Sequence, residues 1–257
     1  MSVNRTAALR SFCVMNPLVL AAWLCALCAS LPSAAYAAAA AAPAAPREID
    51  ATYSASMNGV SIGVLVERFE SGRGSYRIVS ESRPSGLAAL IQRQPLRFES
   101  RGDLTPEGLR PTHFEARRTA AEPPQVTADF KWREKELALN NKGKADTKTL
   151  ARGTQDRLSI MYQFMFMPLK DAKHVDFSMT TGRKLDRYRY LVTPDVEIET
   201  PLGRVRTLHL VKQRDPDDTA TEIWLSGAHR NLPVKMLIVE KNGLRFEQVI
   251  ETLRIQD

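Results

Sequence analysis

Cysteine is confined to the first 28 residues of this 257-residue chain, at Cys13, Cys25 and Cys28. The remaining sequence therefore has no disulfides, no thiolate nucleophile and no cysteine-ligated metal or haem. A chain of this length without disulfides has to be held together by its apolar core, and its size permits one.

The chain also lacks acidic residues at its start, where Arg5 and Arg10 precede an almost wholly apolar stretch, residues 12–31. Ala35-Tyr36-Ala37 then supplies the small-x-small pattern that signal peptidase cuts after. We therefore expect residues 1–37 to be a signal peptide, cleaved after Ala37, and the protein to be periplasmic. The alternative is an uncleaved membrane anchor, because about 20 apolar residues can span a bilayer.

Cleavage would leave a mildly basic protein, since the net charge falls from +7 to +5 when the two arginines are removed. Such a surface is either an ordinary mixed-charge one or weakly attracted to anionic headgroups and polysaccharide. Residues 38–47, mostly alanine and proline, predict a disordered spacer. Residues 48–257 then predict a single β-rich domain.

Alternation of apolar and polar residues dominates the sequence after the spacer. In residues 126–133, Val126, Ala128, Phe130 and Trp132 alternate with polar residues, which predicts a strand with one solvated face. Runs of the same kind occupy residues 60–66, 97–101, 174–179, 195–199, 234–240 and 244–250. Turn dipeptides separate the runs at residues 58–59, 71–72, 181–182 and 242–243. Clean alternation indicates antiparallel strands.

Two helices are expected to interrupt the strands, at residues 86–93 and 157–167. The second has Asp156 or Thr154 available as N-cap and Pro168 behind it. A large antiparallel sheet twists and cannot stay flat. The prediction is a mainly β fold, a curled antiparallel sheet forming a half-barrel or open barrel, with one or two short helices packed in its mouth. A sandwich is the alternative.

Signatures of enzymes and metal sites are missing from the sequence. No two of the four histidines stand three or four residues apart, and there is no Gly-x-Ser-x-Gly elbow, phosphate loop or dinucleotide fingerprint. The acidic run at residues 215–218 lacks the pattern of a calcium loop and indicates a turn. We therefore expect no catalytic residue, no metal site and no cofactor.

Five aromatic residues are candidates for lining a ligand groove, although each is also a candidate for plain core. They are Phe130, Trp132, Tyr162, Phe164 and Trp224.

A basic and aromatic stretch offers a second candidate surface. Arg183, Lys184, Arg187 and Arg189 lie near Tyr188 and Tyr190. Such a stretch can stack nucleic-acid bases, but export argues against that partner. The simplest interpretation is a hairpin face exposed to solvent. If this face binds a ligand, an anionic lipid or glycan headgroup is favoured.

Three stretches carry a resemblance to a known bacterial family. Residues 102–111 look like its "G-x-L-x-x-x-G-L-x-P" turn, and Asp156-Arg157-Leu158-Ser159 with Tyr162 is similar to its "D-x-L-S-x-x-Y" helix start. Residues 200–203, 223–226 and 231–235 are similar to its C-terminal strands. The sequence thus resembles the domain of unknown function 3108 family. The resemblance implies an exported, envelope-associated β-rich domain and carries over no activity or catalytic residue.

Together these features predict an exported, non-enzymatic binding protein of the cell envelope. Its partner would be a lipid-like or polymeric envelope component, glycan included, and contact with the membrane surface is compatible with the charge. The alternatives are an envelope assembly or scaffold protein that acts through protein contacts, and a hydrolase with dispersed catalytic residues. The oligomeric state is left open by the sequence.

Overall fold

The fold is seen in a computed structural model that describes residues 44–86, 89, 96–118, 122–216 and 218–257. The expected signal peptide and most of the spacer and of the predicted helix at residues 86–93 lie outside the described residues. The division into residues 1–37, 38–47 and 48–257 stays a prediction. Within the described part, no helix is long and apolar enough to cross a membrane.

Fifteen strands form one sheet. The first eight strands are β1 (Glu48–Met57), β2 (Val60–Gly72), β3 (Ser75–Pro84), β4 (Leu96–Thr105), β5 (Gly108–Arg117), β6 (Val126–Lys131), β7 (Glu136–Asn141) and β8 (Lys144–Thr149). The others are β9 (Gln155–Asp156), β10 (His174–Thr180), β11 (Leu185–Thr200), β12 (Gly203–Lys212), β13 (Ala220–Ser226), β14 (Leu232–Val239) and β15 (Arg245–Gln256). Within the residues described, helix α1 (Ser159–Gln163) continues into a 3₁₀ turn (Phe164–Phe166), and a second 3₁₀ turn spans Gly227–His229.

The strands form two antiparallel meanders that meet through the two ends of the folded chain. Strands β1 to β8 follow one another across the sheet, as do β10 to β15, and β1 pairs with β15 in the middle. The short strand β9 pairs in parallel with β10 at one edge, while β8 forms the other edge. The sheet is therefore open, and all the other pairings are antiparallel, as the alternation predicted.

Contacts between strands far apart in the sheet show that it curls. Asp156 in the edge strand β9 accepts a hydrogen bond from Ser100 Oγ in β4, at 2.6 Å. The neighbouring Gln155 donates from Nε2 to the carbonyl oxygen of Leu109 in β5, at 2.9 Å. Gly182, between β10 and β11, packs against Val126 of β6. The curled, mainly β prediction is thereby confirmed.

Helix α1 lies inside the curl, between two apolar clusters. Leu158, Tyr162 and Met165 pack with the inward residues of β1 to β7, among them Phe69 and Phe114. Ile160 of the helix and Phe164 of the 3₁₀ turn pack on the other side against residues of strands β10 to β13. These residues are Val175, Tyr190, Leu210, Ile223 and Leu225. The apolar residues of the helix thus point to two sides because two walls of the same sheet cover it.

Two local predictions differ from the structure. The turn expected at residues 71–72 lies at Arg73 and Gly74, both with positive φ, because β2 continues through Gly72. The helix expected at residues 157–167 has only five α-helical residues before it tightens into the 3₁₀ turn. Pro168 ends the element as predicted, since it cannot donate a backbone hydrogen bond.

The chain just before β1 lies against the sheet. Ser71 Oγ donates to the carbonyl oxygen of Pro46 at 2.7 Å, and Arg230 donates to that of Ala44 at 3.1 Å. The backbone N–H of Arg47 donates to the carbonyl oxygen of Gln256 at 2.7 Å. Residues 44–47, the last of the expected spacer, therefore pack on the sheet.

Candidate functional site

The five aromatic candidates occupy three different places. Phe130 and Tyr162 are buried in the cluster formed with β1 to β7, Phe164 in the cluster formed with β10 to β13, and Trp224 in a third cluster. Trp132 is half-buried, follows the end of β6 and stacks on Phe130 with ring centroids 5.9 Å apart. The structure therefore does not bring the five into one groove, because strand parity turns Trp224 away from the side of the sheet that Ile223 and Leu225 face.

Trp132 lines a cavity of about 620 Å³ beside the segment that crosses from β8 to β9. Its polar groups are largely engaged in holding that segment. Gln163 accepts from the backbone N–H of Leu109 at 2.7 Å and donates to the carbonyl oxygen of Glu107 at 2.8 Å. The Glu107 carboxylate pairs with Arg152 at 3.0 Å.

A second cavity, of about 370 Å³, opens on the concave face of the sheet and combines an apolar floor with cationic walls. Phe98 of β4 and Ala116 of β5 are directly paired, and Ala116 is paired with Val126 of β6. Three neighbouring strands thus present one contiguous apolar surface, which Leu96 extends along β4. We call this the Phe98 cavity.

The cationic wall of the Phe98 cavity consists of Arg157, Arg183 and Lys184. Arg157 precedes α1, and its guanidinium carbon lies 4.4 Å from the centroid of the Phe98 ring, within cation–π range. Arg183 and Lys184 come from the turn between β10 and β11, on the far wall of the curl. Lys184 pairs with Asp186 at 2.6 Å.

Arg157 is exposed to solvent, yet the surrounding protein lowers the pKa of its guanidinium. Loss of hydration is the largest cause, and the positive charge of Arg183 acts in the same direction, while Glu67 and Asp156 oppose it. Both observations describe a side chain in a cavity that is open to water and walled by protein. The guanidinium stays protonated at physiological pH, because its intrinsic pKa is far above neutral.

Glu67 brings a carboxylate to the same concave face. It is paired with Ala51 and Ser80 in the neighbouring strands, and Ser80 is in turn paired with Phe98. Burial raises the pKa of the Glu67 carboxyl, and hydrogen bonds from Ser80 and Tyr162, together with the charge of Arg157, offset part of that rise. The Tyr162 hydroxyl donates to Glu67 Oε2 at 3.1 Å.

Asp156 is fully buried, but its oxygens serve the structure. Oδ1 accepts the backbone N–H groups of Leu158 and Ser159, both at 2.9 Å, and Oδ2 accepts the hydroxyl of Ser100. The Asp156 N–H donates to Ser159 Oγ at 2.9 Å, which closes a capping box. Burial raises the pKa of the Asp156 carboxyl and these bonds counter the rise. Because the helix begins at Ser159 and its N-cap residue is Leu158, Asp156 caps the turn that leads into α1.

The histidines are dispersed over the molecule. Their hydrogen-bond or ion-pair partners are Asp129 and Glu115 for His113, Asp176 for His174, Glu222 for His209 and Ser226 for His229. In the part of the chain that the structure describes, no three His, Cys, Asp or Glu residues are grouped to hold a metal ion. Ser226 Oγ lies 2.8 Å from His229 Nδ1, but Ser226 is fully buried within a tight turn. The hydroxyl is therefore out of reach of a substrate.

A family model described as "Protein of unknown function (DUF3108)" matches residues 52–249, which include both cavities. The chain belongs to the DUF3108 family. The resemblance seen in its turn, helix-start and C-terminal strand motifs is confirmed. No curated protein matches this DUF3108 chain at a significant level.

Two crystal structures are similar to this DUF3108 protein. One, from Bacteroides fragilis, is provisionally described as an exported protein with a YmcC-like fold, and has 11% identity and a TM-score of 0.30. The other, from Parabacteroides distasonis, is provisionally described as a lipoprotein, and has 10% identity and a TM-score of 0.29. Each comparison covers 82% of this chain and 97% of the other. TM-scores this low have no bearing on fold or function.

The Phe98 cavity of the DUF3108 protein was not selected from the sequence. Residues 97–101 are correctly predicted as a strand, but nothing local indicates that Phe98 faces a cavity. Arg183 and Lys184 belong to the basic cluster singled out above, whereas Arg189 of that cluster pairs with Asp176 at 2.7 Å on the solvated face. Arg157 stood out only as part of the helix-start motif.

Proposed function

We propose that this protein is an exported, periplasmic, non-enzymatic binding protein of the cell envelope. It holds a lipid-like ligand on the concave side of its curled sheet, and its signal peptide is cleaved after Ala37. The sequence supports export through residues 1–37. The observation that supports binding is the Phe98 cavity, whose floor is apolar and whose volume is within the range of ligand sites.

We propose a non-enzymatic role because the buried acidic residues, Asp156 and Glu67, have structural hydrogen-bond partners. Asp156 caps the turn that leads into α1, and Glu67 is held by Tyr162 and Ser80. Raised carboxyl pKa values also occur at catalytic sites, so Glu67 is the residue on which a hydrolase hypothesis would rest. In the described residues, no histidine or second carboxylate forms a hydrogen bond or ion pair with Glu67.

The test uses the mature protein, produced with its own signal and purified from the periplasm without detergent. Native mass spectrometry is expected to show the mass of residues 38–257 together with a discrete adduct of lipid mass. Ala116→Phe, which fills the cavity floor, is expected to lose the adduct, whereas Ala145→Phe on the exposed strand β8 is expected to keep it. Circular dichroism verifies that both variants fold.

A bare protein mass, even after incubation with an envelope lipid extract, would refute lipid binding. The scaffold alternative would then be preferred, and one observation favours it. Strand β8 is exposed at all six positions at a free edge of the sheet. Free edges can pair with a strand of a partner, although Lys144 and Lys148 are of the kind that discourages such pairing.

A further inference from the structure

We propose that the ligand is an amphiphile with one anionic head, a carboxylate or a phosphate. Arg157 and Arg183 bind the head at the mouth of the Phe98 cavity, while the apolar part lies across Phe98, Ala116 and Val126. This inference rests on the proposed function and specifies its ligand.

The two guanidiniums have no counter-charge within ion-pairing distance. Among the described residues, no carboxylate oxygen lies within 4 Å of Arg157 or Arg183. Arginines on the solvated face of the same sheet are typically paired, as Arg77 is with Glu99 at 2.8 Å and Arg189 with Asp176. The cationic wall of the cavity therefore has unused capacity to bind an anion.

Two like charges facing one cavity are unfavourable without an anion between them. Arg157 and Arg183 line the same cavity, and the charge of Arg183 acts to lower the pKa of Arg157, although Glu67 acts more strongly in the opposite direction. A carboxylate or phosphate has several acceptor oxygens, and the planar fork of a guanidinium is suited to them. Lys184 is already paired with Asp186, so the two arginines are the groups left to hold the head.

The floor of the cavity distinguishes an amphiphile from a free anion. Phe98, Ala116 and Val126 lie side by side across β4, β5 and β6. Ala116 and Val126 are already buried, so the surface that an apolar partner would cover is mainly that of the half-buried Phe98 and Leu96. Arg157 stands directly over the Phe98 ring, so the cation and the apolar surface adjoin. Inorganic phosphate would use the arginines but not the floor.

Glu67 does not take the place of the anion. It lies two strands from Phe98 along the same row, with Ser80 between them. Its carboxylate accepts from the Tyr162 hydroxyl at 3.1 Å, and among the described residues it forms no ion pair with Arg157 or Arg183. Asp156 is occupied by the helix cap.

The experiment measures binding to the mature protein by isothermal titration calorimetry with four probes, of which the three amphiphiles are kept below their critical micelle concentrations. Dodecanoate and monododecyl phosphate are expected to bind. Dodecyltrimethylammonium, with the same chain and the opposite charge, and inorganic phosphate are expected not to. Arg157→Gln and Arg183→Gln should each weaken binding of the anionic probes by about 10-fold or more, the usual effect of losing a charge-assisted hydrogen bond.

The matched control is Arg101→Gln, which removes one positive charge from the solvent-exposed face of β4. It is expected to leave affinity unchanged. Arg183 lies in an exposed turn, so its variant tests the site even if Arg157→Gln fails to fold.

The outcomes separate this inference from the proposed function. Unchanged affinity in both arginine variants, or equal binding of the cationic probe, would overturn the anionic head while leaving lipid binding in place. Inorganic phosphate binding as tightly as its dodecyl ester would show a simple anion site and overturn the amphiphile. Binding of no probe by the folded protein would overturn the inference, and the lipid extract then decides the proposed function separately.

Discussion

Glu67 carries a carboxylate into the concave face of the sheet, where charge is costly. Burial gives its carboxyl a higher pKa in the folded protein than in the unfolded chain, whose glutamates titrate at about 4.3. The folded state therefore binds a proton more tightly, and stability falls as pH rises from the unfolded pKa through the folded one.

Glu67→Gln should remove this loss of stability at high pH. The amide oxygen can still accept from Tyr162, and nothing titrates. We expect the variant to be more stable than the wild type at pH 8, with a gain that disappears at pH 4, measured by urea unfolding at both pH values. A variant less stable than wild type at pH 8 would show that the charge of Glu67 is on balance favourable, through Arg157.

Glu99 provides a control of opposite sign. Its hydrogen bond from Arg77 holds the pKa of the Glu99 carboxyl below its usual value, so its charge stabilises the folded state above the unfolded pKa, and that stability is lost as pH falls. Glu99→Gln should therefore be less stable than wild type at pH 8, and the two should converge in acid.

The turn between β10 and β11 is the element that closes the curl over the Phe98 cavity. Gly182 in that turn has a φ of +79° and is buried against Val126 and Phe114. A Cβ atom there would collide with Val126 Cγ1. The turn between β10 and β11 thus approaches β6 closely at Gly182, where there is no room for a side chain.

Gly182→Ala should lower the free energy of unfolding by about 2–4 kcal/mol, from backbone strain together with overpacking. Gly143→Ala is the matched control, because Gly143 has a φ of +83° and open space around it. Gly143→Ala should lower the free energy of unfolding only through backbone strain, by about 1 kcal/mol. Equal losses in urea unfolding would show that the turn does not pack on β6 in solution.

The whole molecule depends on the pairing of β1 with β15, since this is where the two meanders join. Val249 in β15 has strands on both sides and is paired with Ser54 of β1 and Lys235 of β14. A proline there removes a backbone donor and clashes within the sheet. Thr147 in the edge strand β8 instead donates its N–H to the carboxylate of Asp146, at 2.8 Å.

Val249→Pro is expected to cost about 3 kcal/mol or more, enough to unfold a marginally stable protein. Thr147→Pro should cost about 1 kcal/mol or less, because proline is tolerated at a free edge. Thermal unfolding followed by circular dichroism compares the two. Similar melting temperatures would mean that β1 and β15 do not hold the sheet together.

The fold class was predictable because its signal is local. The alternation around Val126 and Phe130, the turn at Asn58-Gly59 and the cap at Asp156 depend on residues a few positions apart. The turn at Arg73-Gly74 was placed two residues early, because an alternating pattern does not mark where a hairpin turns back. The five aromatic candidates were selected by residue type, which predicts burial but not the cavity that a side chain faces.

The sequence by itself therefore determined the absence of disulfides after Cys28, the antiparallel sheet and the helix cap. Only the tertiary structure decided that β1 pairs with β15 and that Arg157 stands over Phe98. The alternation of apolar and polar residues depends on neighbours along the chain. These contacts instead arise because the twist between neighbouring strands accumulates over the fifteen strands and curls the sheet. That summed curvature brings Arg157 and Arg183 to the same cavity as Phe98.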